Sequence, residues 1–267
     1  MQQINFNNNN TTKTSTLGRS GGAIIPLSEG SFTIDKTKNF VPFNLDNDEL
    51  QQRPIGSLLV EVQPFVVITQ KDILLIDTGL GFSINNELQI HQNLKANGIQ
   101  PEQITKVLMS HLHKDHAGGI SKKDKLGNYE LAFKNAIYYV QQKEFQYATD
   151  IGFPSYMAEE IAVLQNNKQV HWLTESIGFI DDYIEYQITA AHSPFHQVFW
   201  IKEANEIIFF GGDDAPQLQQ MKSKFIAKYD YDGKKCMQLR QQWWQQGHAE
   251  NWQFLFYHDI KTSVYKK

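Results

Sequence analysis

The string His111-Leu112-His113-Lys114-Asp115-His116 packs three imidazoles and a carboxylate into six residues, just after the hydrophobic run Val107-Leu108-Met109. That run reads as a buried strand. Imidazoles and carboxylates are costly to bury unless they are paired or metallated, so core packing does not account for the string. Two histidines two apart at a strand end can point the same way, while Asp115 and His116 turn back from the loop. The arrangement supplies two adjacent ions better than one. Nitrogen and oxygen donors without thiolate favour zinc, with iron, manganese or cobalt as alternatives.

Other strand patterns surround the string. Leu58 to Val62 and Phe65 to Ile68 precede a polar turn, and Ile73 to Ile76 closes on Asp77-Thr78-Gly79. Apolar, β-branched runs broken by turn residues are the strand signature. A helix is expected from Asn86 to Asn97, stopped by Gly98. Ile137 to Val140 reads as a strand, followed by helical segments near Gln141 to Ala148 and Ser155 to Gln165. In the second half, Ile184, Tyr186, Ile188 and Ala190 alternate with polar neighbours, and Val198 to Ile201 pairs with Ile207 to Phe210 in a hairpin. Asp232 is a good N-cap for a helix to about Gln246, with Gly247 as its stop. A last strand spans Gln253 to Tyr257.

His192 continues the inward parity of Ile184 to Ala190, and His258 that of Trp252, Phe254 and Phe256. Asp213 follows Phe209-Phe210-Gly211-Gly212, where glycine lets the backbone approach a neighbour closely. Four hydrophobic strands thus each deliver candidate ligands at their C-terminal ends, the edge where α/β sheets build sites.

The chain resembles the metallo-β-lactamase-fold hydrolases over nearly everything after residue 22. The motifs are Asp77-Thr78-Gly79, the His111-to-His116 string, His192-Ser193-Pro194-Phe195-His196, Gly212-Asp213 and His258-Asp259. The resemblance implies an α/β (α+β) four-layer αββα sandwich with a dinuclear site in the cleft between two sheets. It also implies that His111, His113 and His192 hold one ion and Asp115, His116 and His258 the other, with Asp213 bridging. Asp77 would orient a metal-bound imidazole, and His196 would lie near the site without ligating. His91, His171 and His248 read as ordinary surface or core residues.

Two divalent ions lower the pKa of a shared water, so the expected nucleophile is a metal-bridging hydroxide attacking a lactone or ester carbonyl. Asp213 is also placed to move a proton to the leaving group, and Asp115 is the other carboxylate at the reacting centre. The chain ends nine residues after His258, which leaves no room for the helical C-terminal domain of glyoxalase II-like thioesterases. Asp213 stands where one class of true β-lactamases has a zinc-binding cysteine, and His113 in place of Glu disfavours the flavodiiron oxidoreductases. What remains resembles the quorum-quenching N-acyl homoserine lactonases and the related organophosphate hydrolases. The segments Leu27 to Phe32 and Lys228 to Lys235 look like this branch.

Two positions depart from it. Many lactonases carry a substrate-contacting Tyr three residues after the bridging Asp, where this chain has Pro216; Tyr229 or Tyr231 is the candidate substitute. Phe195 replaces a usual Gly and is expected to line the pocket. Organophosphate or phosphoester hydrolysis is the nearest alternative, disfavoured because only Lys114 sits beside a ligand and it reads as pointing to solvent. A non-catalytic binding module and an iron redox enzyme are the readings from other classes.

Composition excludes further roles. With 25 Lys and Arg against 29 Asp and Glu, the net charge of −4 gives no general attraction to nucleic acid. Cys236 is the only cysteine, so no internal disulfide forms, which fits a cytoplasmic home. The polar stretch 1–22 reads as a flexible arm without a secretory signal, ahead of one domain over 23–267. No run reaches the length of a membrane span. The expected partner is a small ester or lactone, and analogy with related lactonases suggests a homodimer.

Overall fold

The strands Phe65–Ile68, Ile73–Ile76, Lys106–Leu108 and Ile137–Gln141 are short apolar runs buried on both faces, and they need cover above and below. A computed structural model describes residues 22–267 and shows how that cover is supplied. The arm read over 1–22 lies, Gly22 apart, outside the described residues. One six-stranded sheet runs Ala23–Pro26, Phe65–Ile68, Ile73–Ile76, Lys106–Leu108, Ile137–Gln141, Val170–Leu173. A second runs Ile177–Ile180, Ile184–Ile188, Gln197–Glu203, Glu206–Phe210, Gln253–Leu255, Val264–Lys266.

Side-chain alternation sorts the apolar residues into three cores. On the first sheet, Val66, Leu75, Val107 and Val140 face helical Ile90, Leu94, Ile161 and Leu164. Their neighbours Val67, Leu74, Ile76 and Leu108 face the second sheet's Ile184, Phe199, Ile201, Ile208 and Phe210. The second sheet's outer face, with Trp200, Phe209 and Phe254, packs on Trp243 of the helix Gly233–Ala249. Helix, sheet, sheet and helix make the four layers of an αββα sandwich.

Strand direction then positions the site. Ile73–Ile76, Lys106–Leu108 and Ile137–Gln141 are parallel, as are Glu206–Phe210 and Gln253–Leu255. Ile184–Ile188 runs the same way as Glu206–Phe210, because both oppose Gln197–Glu203. The C-terminal strand ends, with the polar residues beyond them, therefore collect at one edge of the cleft. A third, three-stranded sheet of Gly30–Ile34, Phe40–Pro42 and Leu58–Val62 stands over that edge.

Several elements differ from the sequence expectation. The helix expected from Asn86 begins at Gln89, because Asn85 and Asn86 take φ of +53° and +64° in a two-residue turn joining Ser83–Ile84 to Glu87–Leu88. Asn is the side-chain-bearing residue best suited to that turn. The segment Ser155 to Gln165 is helical only from Ala158, as a turn of α-helix continued by a 3-10 turn. Asp232 caps the last helix by accepting from the Lys235 N–H at 2.9 Å, but the helix runs through Gly247 to Ala249. Gly247 is a packing residue there: a Cβ would sit 2.2 Å from a ring carbon of Phe254. Among the described residues, no helix is long and apolar enough to cross a membrane.

Candidate metal centre

Seven side chains from five segments converge at the cleft edge. His111 and His113 follow the strand Lys106–Leu108, while Asp115 and His116 lie on the one-turn helix Lys114–Ala117. His192 comes from the loop after Ile184–Ile188, Asp213 from the turn after Glu206–Phe210, and His258 from the loop after Gln253–Leu255. They sort into His111, His113, His192 and Asp213 on one side and Asp115, His116 and His258 on the other, each set with ligand atoms within 4.8 Å of one another. Asp213 spans the two. Its Oδ2 lies 3.2 Å from His192 Nε2, and its Oδ1 lies 3.2 Å from His116 Nε2 and 3.0 Å from His258 Nε2.

The far side of each ring decides which nitrogen faces inward. His116 Nδ1 donates to Asp77 at 2.8 Å, His192 Nδ1 to Asp230 at 2.9 Å, and His258 Nδ1 to the Glu61 carbonyl at 2.6 Å. His111 Nδ1 is 3.0 Å from the Ser110 hydroxyl. With those protons placed outward, the Nε2 lone pairs point at Asp213 and at each other. His116 Nε2 and Asp213 Oδ1 are both buried without a hydrogen-bond partner. Two electron-rich atoms held 3.2 Å apart and away from water call for a cation between them. The donor set therefore fits divalent metal ions, and outward hydrogen bonds of this kind hold and orient metal-bound histidines.

The electrostatics follow the same division. Burial, with the neighbouring imidazoles, holds His111 and His113 well below the usual histidine range, which leaves neutral donors. Burial also opposes charge on His116, but Asp213 and Asp115 outweigh it and hold it well above that range. His192 and His258 are raised for the same reason, chiefly by Asp213. Protons and metal ions thus compete for one set of lone pairs.

Asp77 is the most constrained residue of the support. It adopts φ +55°, a left-handed conformation that is uncommon for a residue with a side chain. Its carboxylate accepts from the Ser110 N–H at 2.8 Å, the Ser110 hydroxyl at 2.7 Å and His116. Tyr257 stacks on the other face of the His116 ring at 4.0 Å, with its hydroxyl donating to the Asp115 carbonyl. His196 lies 4.9 Å from the His111 ring between centroids but outside both ligand groups; its Nε2 accepts from the Asp213 N–H at 3.1 Å and thereby fixes that loop. Gly212, φ +49°, lets the loop pass His196, since a Cβ would sit 2.6 Å from the ring. Asp214 accepts from the His192 N–H at 2.7 Å, and Asp259 from the N–H groups of Leu218, Lys261 and Thr262.

Strand parity is not what carries His192 and His258 to the cluster. The strand before His192 ends at Ile188, and Ala190 takes φ +49°, so alternation is broken before the histidine. Trp252, Phe254 and Phe256 face the outer helix rather than the cleft. His258 reaches the site only because the chain leaves the strand after Leu255. Asp230 and the Glu61 carbonyl were missed altogether. Asp230 lies in the segment Lys228 to Lys235, which resembles the lactonase branch but where nothing local sets Asp230 apart from Asp232, and a backbone carbonyl has no sequence signal.

Above the cluster opens a cavity of about 660 Å³. Tyr229 is on its wall, 6.3 Å from His192 between ring centroids, and partial burial followed by Asp230 pushes its phenol up to about 12. Tyr231 is 68% exposed and away from the cavity; only its backbone contributes, donating to the His192 carbonyl. Phe195 packs edge-on against Tyr147 at 5.9 Å and does not line the cavity. Lys114 does not point to solvent but lies over the rings of Phe40 and Phe153, at 5.8 and 5.9 Å, on the cavity wall.

A family model for the metallo-β-lactamase superfamily matches residues 60–213. The chain belongs to that superfamily. Solved structures share the fold across its length. A probable metal-dependent hydrolase from Staphylococcus aureus is 22% identical, with 92% of each chain covered and a TM-score of 0.74. AidC, a dizinc quorum-quenching lactonase in complex with a product, is 16% identical, covering 92% of this chain and 90% of that one at a TM-score of 0.68. The hydrolase AbOPH is 23% identical, covering 95% and 91% at 0.69. No curated protein is a significant match. The superfamily and the ligand cluster together make this chain a metal-dependent hydrolase.

Proposed function

We propose that the site holds two divalent ions, zinc by donor type, and opens lactones or cleaves simple esters. The observation that carries this is Asp213, whose two carboxylate oxygens face two separate sets of ligands at the floor of the cavity. Ions held there would supply an activated water and polarise a carbonyl oxygen. The chain's own part is positional. Asp77, Asp230, Ser110 and the Glu61 carbonyl keep the imidazoles aimed, and Asp213 stands where it can take a proton and return it to a leaving alkoxide. Tyr229, on the wall beside His192, takes the substrate-contacting part that Pro216 cannot play. Phe40, Leu58, Val60 and Phe225 give the cavity an apolar wall suited to an acyl chain, and its volume lies in the range of small-ligand pockets. The lactonase fold relative bound to a product supports the same substrate class.

Phosphoester hydrolysis is the second reading. The observation in its favour is Lys114 on the cavity wall, a cation that the sequence places in solvent.

The test is proton release by metal-reconstituted protein, beside a chelated control, from homoserine lactones of short and long chain, an aryl ester, a phosphotriester and a β-lactam. Metal-dependent opening of lactones or esters is the expected result. Turnover confined to the phosphotriester would move the function to the second reading. Loaded protein that turns over none of them would overturn both.

A further inference from the structure

We propose that the substrate carries an anionic group, a carboxylate or phosphate, separated from its scissile bond by an apolar segment. The inference rests on the hydrolase reading and adds the recognition element. Four lysines line the cavity: Lys36 and Lys38 from the loop after Gly30–Ile34, Lys114 from the ligand string, and Lys228 from the segment before Asp230. None of the four lies within 4.0 Å of a carboxylate among the described residues. Lys38 and Lys114 are half-buried, and Lys38 is close enough for its charge to bear on both His113 and Lys114.

The acidic groups facing these lysines are few. Among the described residues, Asp35 is the one carboxylate on the cavity wall apart from the metal-ligand candidates, and it is already engaged by the Thr37 N–H and hydroxyl. Glu160 acts on Lys114 more weakly than Asp115 does. Asp115 and Asp213 belong to the floor, where they are grouped with the histidines that could hold metal ions. Four cations therefore converge on one opening of a chain whose formal charge is −4, so the patch is local and not a sign of a basic protein. Ile34, Phe40, Leu58 and Phe225 lie on the same wall, which suits an apolar spacer. Lysine presents a mobile point charge, which suits a flexible acid terminus better than a fixed planar one.

The experiment compares mono(4-nitrophenyl) suberate, 4-nitrophenyl octanoate and 4-nitrophenyl 8-phosphonooctanoate on the metal-loaded full chain, in wild type and in Lys38→Gln/Lys228→Gln. Lys114 is left intact because it adjoins Asp115. Calorimetric binding of suberate against octanoate runs beside the kinetics. Wild type is expected to favour an anionic ester by about tenfold or more in kcat/KM at low salt. The ratio should fall toward one in the double variant and with rising ionic strength, and Lys38→Arg should retain it. The better of the suberate and phosphono esters identifies the acid.

Octanoate ester turned over as well as the anionic esters would overturn the inference and leave the hydrolase reading standing. No turnover of any ester, with lysine-dependent preference for suberate binding, would retain the anionic recognition element and remove ester cleavage from the proposed function. Neither turnover nor binding preference would remove both.

Discussion

The floor of the cleft and the wall of the cavity above it are built in opposite ways. On the floor, His111, His116, His192 and His258 each have a second nitrogen against a named oxygen, and these four are at most 8% exposed. On the wall, the lysines have no carboxylate within 4.0 Å among the described residues, Phe225 and Tyr229 are 41% and 39% exposed, and Lys36, Lys38, Phe225, Lys228 and Tyr229 come from loops. Buried rings fixed by a bond on their far side cannot vary one at a time. Half-exposed groups on loops can. The floor therefore fixes which bond-breaking chemistry the chain performs, and the wall fixes what it acts on.

Substitutions on the floor should show the largest effects. Asp213→Ala should lower turnover by roughly 10²- to 10⁴-fold at saturating metal; metal content by mass spectrometry with kcat measured alongside is the check. Full turnover with both ions retained would remove Asp213 from proton transfer. Next comes Asp230→Ala, which frees His192 Nδ1 and should weaken metal affinity by about 10- to 100-fold. Tyr231→Ala, one residue on and exposed, should leave affinity within about twofold, read by competition with a chelating dye. Equal effects from the pair would break the contrast between supported floor and free surface.

Beneath the floor, Glu29 sharpens it through pH. Burial, opposed by the Leu80 N–H and reinforced by Asp115, raises its carboxyl to about 8 from an ordinary 4.5. Below the ordinary value the group is protonated whether folded or unfolded. From about 4.5 to about 8 the unfolded chain ionises first, so wild type should lose stability relative to Glu29→Gln across that window, by a few kcal/mol. Urea melts of both proteins at several pH values measure it; parallel stability curves would show that Glu29 ionises normally. Smallest is Phe225→Ala on the wall, expected to raise KM for acyl substrates about three- to tenfold with metal content unchanged. A loss of metal there would mean that wall and floor are not separate.

Much of this division was legible in the residues. The ligand string, the glycines before Asp213 and the short apolar strands speak locally, because spacing along a strand or turn determines where neighbours point. Asp77 at the end of Ile73–Ile76 was readable for the same reason. What could not be read depends on distance in the chain. Lys36, Lys114 and Lys228 form no cluster in sequence; the third sheet carries Lys36 to a wall that Lys114 and Lys228 reach from two other segments. Gly247 carries the usual mark of a helix stop, yet it is required by an aromatic ring from the next strand. Alternation named His192 and His258 although it had ended before either, since both strands stop short of their ligands.

The outward bonds of the four histidines have one more implication. Each acceptor belongs to the protein: a carboxylate, a hydroxyl or a main-chain carbonyl. The rings are thus pinned like type in a frame before any ion is set between them, and little ordering is left for the ion itself to drive. A frame of nitrogen and oxygen donors without thiolate suits zinc first and can also admit cobalt, iron or manganese. The ions found in a purified sample should accordingly depend on the metals supplied to the cells as well as on the site's own preference.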